Sequence, residues 1–387
     1  MTTRLRLGAL VTHPVQYHSP LFRELAERCD LTVYYAHRPT AKEQGAGFGV
    51  SFQWDIDLTA GYRHVWLTNV AKQPSVTNYS GCDTPEIAQV IEQSRPDAFL
   101  VFGWHSRSYI QAIRGCRRAG VPVLVRGDSQ LATVRSPLRR LAKAALYPIM
   151  IRRFAACISV GARSEEYFRK YRARAVFRSP HFVDNEFFAS RGGDDQRADA
   201  RRRWEIPADA FVMLFAGKLI DMKRPLDVLE SVAMLGRKDI HVLVAGAGAL
   251  ETEMRSRAAA CGVPVHFAGF LNQSELPAAY AAADLLMLPS TAKETWGLVV
   301  NEAMACGRSA LISRSVGCTP DLIVDGVTGY AVEEGDIEGF ADRIGELARD
   351  RDRVQSMGCA AKTRIAGFNV HAAADGILAA ANYVRAS

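Results

Sequence analysis

No two cysteines in this chain stand in a Cys-x-x-Cys spacing, and none clusters with histidine. The eight that are present are scattered from Cys29 to Cys359. That pattern excludes the common zinc frameworks and reads as buried thiols in a reducing compartment, with no disulfide scaffold. Long apolar runs are also missing. Nothing approaches the roughly 20 residues that a spanning helix needs, and the longest candidate, residues 142–151, is broken by Pro148. The opening stretch is too briefly apolar for a secretory leader before His13 and Pro14 interrupt it. The expected location is therefore the cytoplasm, where the sequons at Asn78 and Asn272 carry no meaning. Glycine (30) and proline (16) are near ordinary usage, which excludes collagen-like and low-complexity chains.

What is there is globular. The chain has 387 residues, 48% apolar and 23% charged, enough for two or three domains. Its net charge of +7 is concentrated. Between Arg135 and Arg178 stand twelve basic residues against Glu165 and Glu166, so the rest of the chain is slightly acidic. A patch of that kind attracts anions: phosphates, lipid headgroups or nucleic acid.

Short β-type runs alternate with helical patterns. Runs at 5–11, 31–36, 98–102, 122–125 and 157–160 interleave with helices expected near 19–28, 108–119 and 164–171. The polar stretch 190–203 reads as a linker or a first exposed helix. The alternation then resumes at 211–216, 240–245, 265–268, 285–288 and 310–313, with helices at 225–235, 251–261, 274–283, 298–306 and 337–349. A last helix is expected at 370–385. This order predicts two Rossmann-like domains, each a doubly wound parallel sheet, facing across a cleft. Ligands in such sheets bind beyond the carboxyl ends of the strands.

The most informative segment is Pro289-Ser-Thr-Ala-Lys-Glu294-Thr-Trp-Gly297-Leu-Val-Val-Asn-Glu302-Ala-Met-Ala-Cys-Gly307. A strand ends at Pro289, a loop carries Glu294, and a helix starts near Gly297. The N–H groups of Gly297, Leu298 and Val299 then fall in the first helical turn, suited to hold a phosphate. Glu302 lies about 7–8 Å further along the axis, roughly the reach from a diphosphate to a ribose. Two carboxylates flanking a phosphate cradle can accept hydrogen bonds from sugar hydroxyls. Two solvated glutamates on a capped helix fit the same letters. A second segment, Phe215-Ala-Gly217-Lys218-Leu-Ile-Asp-Met-Lys223-Arg224-Pro225, sets Gly217 and Lys218 at a strand end. Lys223 stands just before a helix whose first residue is Pro225. It reads as a second anion grip, or as a loop with ordinary surface lysines.

Together these segments resemble the family-4 type of retaining, nucleotide-sugar-dependent glycosyltransferases of the GT-B fold. The Glu294–Glu302 spacing matches that family's signature, and Lys218 stands where arginine is commoner. Further matches are Ala245-Gly-Ala-Gly248, Phe267-Ala-Gly-Phe270-Leu271, Tyr280-Ala-Ala-Ala-Asp284 and the run from Gly317 to Gly329. They cover residues 210–335, while the first half matches much more weakly. Ser179-Pro-His-Phe-Val-Asp-Asn-Glu-Phe-Phe188 resembles the family's exit from the first domain.

The resemblance implies an acceptor-binding domain at 1–188, a nucleotide-sugar domain at 189–367, and a helix at 368–387 that returns to the first domain. It implies a hexosyl-type transfer to a hydroxyl of a glycan, glycolipid or small molecule, with no cofactor and no metal. Glu294 would bond the donor sugar's hydroxyls and Glu302 the ribose. Lys218 and Lys223 would neutralise the diphosphate, and the backbone at Phe270 and Leu271 would meet the base. Two departures fall in the first domain. Thr12-His13-Pro14-Val15-Gln16-Tyr17-His18-Ser19 replaces the usual Gly-Gly loop, and Arg126-Gly127-Asp128-Ser129 replaces a common histidine. Among the expected strand-end residues there (His13, Gln16, Tyr17, His18, Trp104, His105, Arg126 and Asp128), His105 and Asp128 are the candidates for a polar partner to the acceptor hydroxyl.

Rival readings remain. One is a nucleotide-sugar epimerase of the same fold, and another is a non-catalytic module that keeps the nucleotide pocket. Asp55-Ile-Asp57 is an Asp-x-Asp pair that binds metal in other glycosyltransferase folds, but here it is expected before a turn. Residues 138–154 combine apolar positions with cations at both ends. They suit an interfacial helix on anionic membrane, giving a peripheral inner-face location, or a domain helix with snorkelling arginines. Nucleic acid is not an expected partner, because the basic stretch lacks interleaved aromatics of the required kind.

Overall fold

A computed structural model describes residues 4–132 and 137–386, and the side chains of 137–140 lie outside the described residues. Arg135 and the side chains of Arg139 and Arg140, counted in the basic stretch, therefore fall outside this description. The chain forms two compact units. The first comprises the residues up to Gln44, then Asp57–His181, then Val370 onward. The second comprises Gly45–Ile56 and Phe182–Asn369.

In the first unit there are seven parallel strands, and the five inner ones are built from runs buried on both faces, as crossover helices require. The seven are β1 (Arg6–Val11), β2 (Asp30–Tyr35), β3 (His64–Trp66), β4 (Ala98–Val101), β5 (Val123–Gly127), β6 (Ala156–Ser159) and β7 (Val176–Arg178), in the order β3-β2-β1-β4-β5-β6-β7. The order reverses between β1 and β4. The short outer strands β3 and β7 carry only three residues each and left no clear period in the sequence.

The closing helix Val370–Ala386 packs in this first unit through Ala373, Ala374, Ile377, Ala380 and Ala381, all fully buried. A side chain at Gly376 would stand 1.9 Å from the Arg178 carbonyl, so glycine is what lets the helix reach β7. Arg28 and Asp375 pair at 2.6 Å on the rim.

The second unit holds six parallel strands: β8 (Phe211–Ala216), β9 (Ile240–Ala245), β10 (Val265–Gly269), β11 (Leu285–Leu288), β12 (Ser309–Ser313) and β13 (Gly329–Val332). Their order is β10-β9-β8-β11-β12-β13, so the reversal falls between β8 and β11. Every residue of β8 and β11 is buried. Two doubly wound parallel sheets are the architecture that the alternation predicts.

Three details differ from the expectation. The stretch 190–203 takes the second of its two readings, a helix at Arg197–Arg203, but one that is pinned on one side by Arg201, 3% exposed, whose guanidinium meets the Ala282 and Ala210 carbonyls and the Asp284 carboxylate. A helix at Arg351–Ile365 was not anticipated. Residues 45–56, assigned from sequence to the first domain, pack with the second unit, because their aromatic rings find partners there. The main-chain passage at Phe182 and the return before Val370 are tied together inside the second unit by Asn185, whose amide donates to the Ile365 and Phe368 carbonyls at 3.1 and 3.3 Å.

Candidate functional site

The reversal of strand order between β8 and β11 opens a crevice at their carboxyl ends, the place where open α/β sheets take ligands. β8 is followed by Gly217, whose φ of +142° suits only glycine. The chain then passes Lys218 into a 3₁₀ turn, Asp221–Lys223, and through Arg224 into the helix Pro225–Met234, with Pro225 at its start. The loop after β11 returns beside that turn: the Thr291 N–H donates to the Met222 carbonyl at 2.9 Å. This bond brings Glu294 to Lys223, and the two form an ion pair, 14% and 15% exposed. Lys218 lies close enough to Lys223 for the two charges to repel. Burial first, and that repulsion second, lower the Lys218 pKa.

The helix Leu298–Ala305 begins at Gly297 (φ 96°, ψ 63°), where a Cβ would stand 2.8 Å from the Leu288 side chain. Helix geometry leaves the N–H groups of Leu298 and Val299 without intrahelical acceptors, and both residues are only partly buried. The loop is held from its other side by Gly317, whose N–H donates to the Glu294 carbonyl at 3.0 Å. A side chain at Gly317 would collide with the Thr295 carbonyl at 1.8 Å. Gly246 and Gly248 serve the same purpose against the backbones of Gly217 and Leu219. Their role is close packing of two loops.

Glu302, read from the sequence as a ribose ligand or as a solvated glutamate, is not solvated. It is fully buried, and the Tyr280 hydroxyl donates to its Oε2 at 2.6 Å. The physical reason lies in the helix that carries it, whose residues from Val300 to Ala305 are all buried. Phe270 packs against Phe52 with its ring tilted by 33° (4.3 Å between centroids) and meets Phe48 edge-on at 5.0 Å. Leu271 is buried beside it in sequence. The Lys218 ammonium donates to the Ala46 carbonyl at 2.7 Å and sits 5.1 Å from the centre of the Phe48 ring. Ala46, Phe48 and Phe52 were not among the sequence candidates. Their signal was three glycines in five residues, Gly45-Ala-Gly47-Phe-Gly49, with aromatic residues following.

The Asp-x-Asp pair has structural partners. Asp55 accepts from the Ser274 N–H at 3.1 Å and from its hydroxyl. Asp57 accepts from the Thr59 and Ala60 N–H groups at 2.8 and 3.1 Å. No group of three or more His, Cys, Asp or Glu is arranged to hold a metal among the described residues.

In the first unit the strand ends carry a different chemistry. Arg126 is 4% exposed and donates to the Ser179 hydroxyl and to the Ser179 and Pro180 carbonyls at 3.2–3.3 Å. Burial brings its pKa down to about 10, against an opposing pull from Asp128. Burial also lowers His13 to about 4, with His37 adding to the effect and Glu43 opposing it. His18 falls to about 3, by burial and then by Arg126 and His13. Its Nδ1 is buried without a hydrogen-bond partner. His105 is lowered by burial and raised in part by exposed Asp128, so these two candidates lie within electrostatic reach of each other.

Residues 196–364 match the family of glycosyl transferases group 1. That match covers less than half of the chain, and the two parallel Rossmann-like sheets have the GT-B fold. The chain is 35% identical over 187 residues to a D-inositol 3-phosphate glycosyltransferase of Streptomyces scabiei, covering 45% of this chain and 42% of that protein. It is 28% identical to a GDP-mannose-dependent alpha-(1-6)-phosphatidylinositol monomannoside mannosyltransferase of Mycolicibacterium smegmatis, over 64% of this chain and 66% of that one. The matches span less than half of the length of the first of these relatives and about two thirds of the second. Among solved structures, Anabaena HepE in complex with UDP superposes with a TM-score of 0.76 at 17% identity, covering 98% of this chain and 100% of that one.

Proposed function

We propose that the chain is a retaining glycosyltransferase that moves a sugar from a nucleotide-diphosphate sugar to a hydroxyl of a glycan, glycolipid or small-molecule acceptor. The observation that carries this is the gathering of Lys218, Lys223 and Glu294 with the Gly297-capped helix start at the reversal of the second sheet. As the bond to the leaving group breaks, negative charge grows on the diphosphate and positive charge on the sugar. Lys218, Lys223 and the N–H groups of Leu298 and Val299 are preorganised for the first of these charges. Glu294, already paired with Lys223, would exchange that partner for sugar hydroxyls when Lys223 turns to the diphosphate.

These cations supply what a divalent ion supplies elsewhere, so transfer is expected to survive a chelator. Glu302 is proposed to reach a ribose only by sharing its carboxylate with Tyr280. His105 and Asp128 are proposed to attend the acceptor hydroxyl.

Among the proteins this chain resembles, the mycobacterial enzyme is GDP-mannose-dependent and the Anabaena structure holds UDP. The chemistry they share, a nucleoside diphosphate, is what the donor reading requires. A thermal-shift screen of UDP, GDP and ADP and their sugars tests it, because a ligand of the folded state raises the melting temperature. A rise of several degrees with one nucleotide series is expected, and no response to any of them removes the donor reading.

A lipid-linked acceptor is the reading favoured by the helix Pro137–Ile151. Its Lys143 is turned onto the rings of Tyr147, Tyr167 and Tyr171, while Leu141, Leu146 and Ile149 are 71%, 63% and 58% exposed. Arg152 and Arg153 follow in the open. No helix among the described residues is long and apolar enough to cross a membrane.

A further inference from the structure

Residues 45–56 lie on the very groups assigned above to the donor. They do so in two halves of different character. The later half is anchored: Asn272 donates from its side-chain amide to the Gln53 carbonyl at 2.8 Å, and Asp55 holds Ser274. The rings of Phe52 and Trp54 meet edge-on at 5.0 Å, and Phe52 leans on Phe270.

The earlier half rests on Lys218. The ammonium is held by the Ala46 carbonyl at 2.7 Å and faces the Phe48 ring at 5.1 Å. This contact is tailored to glycine: a Cβ on Gly47 would stand 3.0 Å from Lys218 Cδ and 3.1 Å from its Nζ. Gly47 and Gly49 have φ of +86° and +74°, so the half that touches Lys218 is also the half with the most backbone freedom.

A carbonyl oxygen is a weaker partner for an ammonium than an anionic phosphate oxygen, because a bond between two ionised groups is roughly twice as strong as a neutral one. We propose that residues 45–50 are a gate on the donor pocket, latched by the bond from Lys218 to the Ala46 carbonyl and released when a nucleoside diphosphate takes over the ammonium, with residues 53–55 as the fixed hinge. This rests on the donor reading. The latch holds the lysine in place while the site is empty, and its exchange for the diphosphate couples donor arrival to the uncovering of the Phe270 ring.

Release exposes Phe48, so chymotrypsin cleavage after Phe48, followed by mass spectrometry, reads the gate in the full chain. Saturating UDP or GDP is expected to speed that cleavage at least fivefold. Calorimetry supplies the second measurement. Gly47→Ala and Phe48→Ala both weaken the latch and are expected to bind the same nucleotide about 3- to 10-fold more tightly, the worth of one net hydrogen bond. If neither UDP nor GDP binds the wild-type protein, the donor reading falls and takes the gate with it. If one binds while cleavage is unchanged or slower, and both variants bind within twofold of wild type or more weakly, the gate alone is overturned.

Discussion

The two sheets end in opposite kinds of cation. At the reversal of the second sheet, Lys223 is paired with a side-chain carboxylate and Lys218 with a neutral carbonyl. Either partner can be exchanged for an anionic ligand oxygen, which keeps the ammonium paired. At the strand ends of the first sheet, Arg126 is sealed in and donates to two backbone carbonyls that leave the domain at Ser179 and Pro180. Releasing those would strand buried acceptors. Burial keeps the strand-end histidines His13 and His18 neutral, with pKa values near 4 and 3, and Arg126 adds to the effect on His18. On the donor reading, Lys218 and Lys223 have partners that a ligand can replace, whereas Arg126 is locked to the backbone beside histidines that burial holds neutral.

The largest effect expected from this contrast is on chemistry. Lys223→Ala should lower transfer by roughly 10²- to 10³-fold, the usual consequence of losing one charge-stabilising donor. Single-turnover rates with the nucleotide sugar found by thermal shift are the measurement. A variant within threefold of wild type would take Lys223 out of the account.

Next comes a pH effect confined to the first sheet. The His13 pKa is about 4 in the folded chain against an ordinary 6.5, so the unfolded chain takes up that proton first. The associated stability is complete above about pH 6.5, is lost as pH falls toward about 4, and does not decline further below it. The loss amounts to about 3 kcal/mol at most. His13→Gln, which has no proton to gain, should therefore show a flatter decline of the urea midpoint between pH 7 and pH 4 than the wild type. Equal slopes would mean that the ring is not held neutral by burial.

A smaller effect probes Glu302, a fully buried carboxyl group of the second unit. Tyr280→Phe removes the hydroxyl that meets Glu302 at 2.6 Å. The expected cost is about 1–3 kcal/mol in chemical denaturation, since a buried carboxyl group loses one hydrogen bond that water cannot replace. A change below about 0.5 kcal/mol would imply that Glu302 leans on other donors and that Tyr280 is only packing.

Legibility in the sequence followed the same contrast. The alternation of apolar strands and amphipathic helices announced two parallel doubly wound sheets, and β8 and β11 are continuous buried runs. Lys223 and Glu294 could be singled out because each stands at the mouth of such a run, beside Pro225 or Gly297, whose backbone demands are visible in the letters. Glu302 was legible as a residue but not in its surroundings, because a helix buried on every side gives no polar face to read. Residues 45–56 were illegible as part of the second unit. Their rings contact Phe270 more than 200 positions away, and no local pattern encodes so distant a pairing. The neutral histidines were likewise hidden, since His13, His37 and Glu43 are brought together only by the ends of adjacent strands.

The mildest prediction concerns the face of the first unit that has no partner of either kind. Leu141, Leu146 and Ile149 project from the helix Pro137–Ile151 while its Lys143 is spent on tyrosine rings. Apolar side chains that are already in water contribute little to folding, so Leu141→Gln and Leu146→Gln together should move stability by less than about 0.5 kcal/mol. If that face docks on lipid, the same pair should reduce flotation with vesicles of anionic phospholipid severalfold. Reversing Arg152 and Arg153 to glutamate should abolish flotation at low salt, where unscreened charge brings the surfaces together. Wild-type protein that stays at the bottom of the gradient at low salt would leave the exposed leucines without a lipid partner and narrow the acceptor to a soluble molecule.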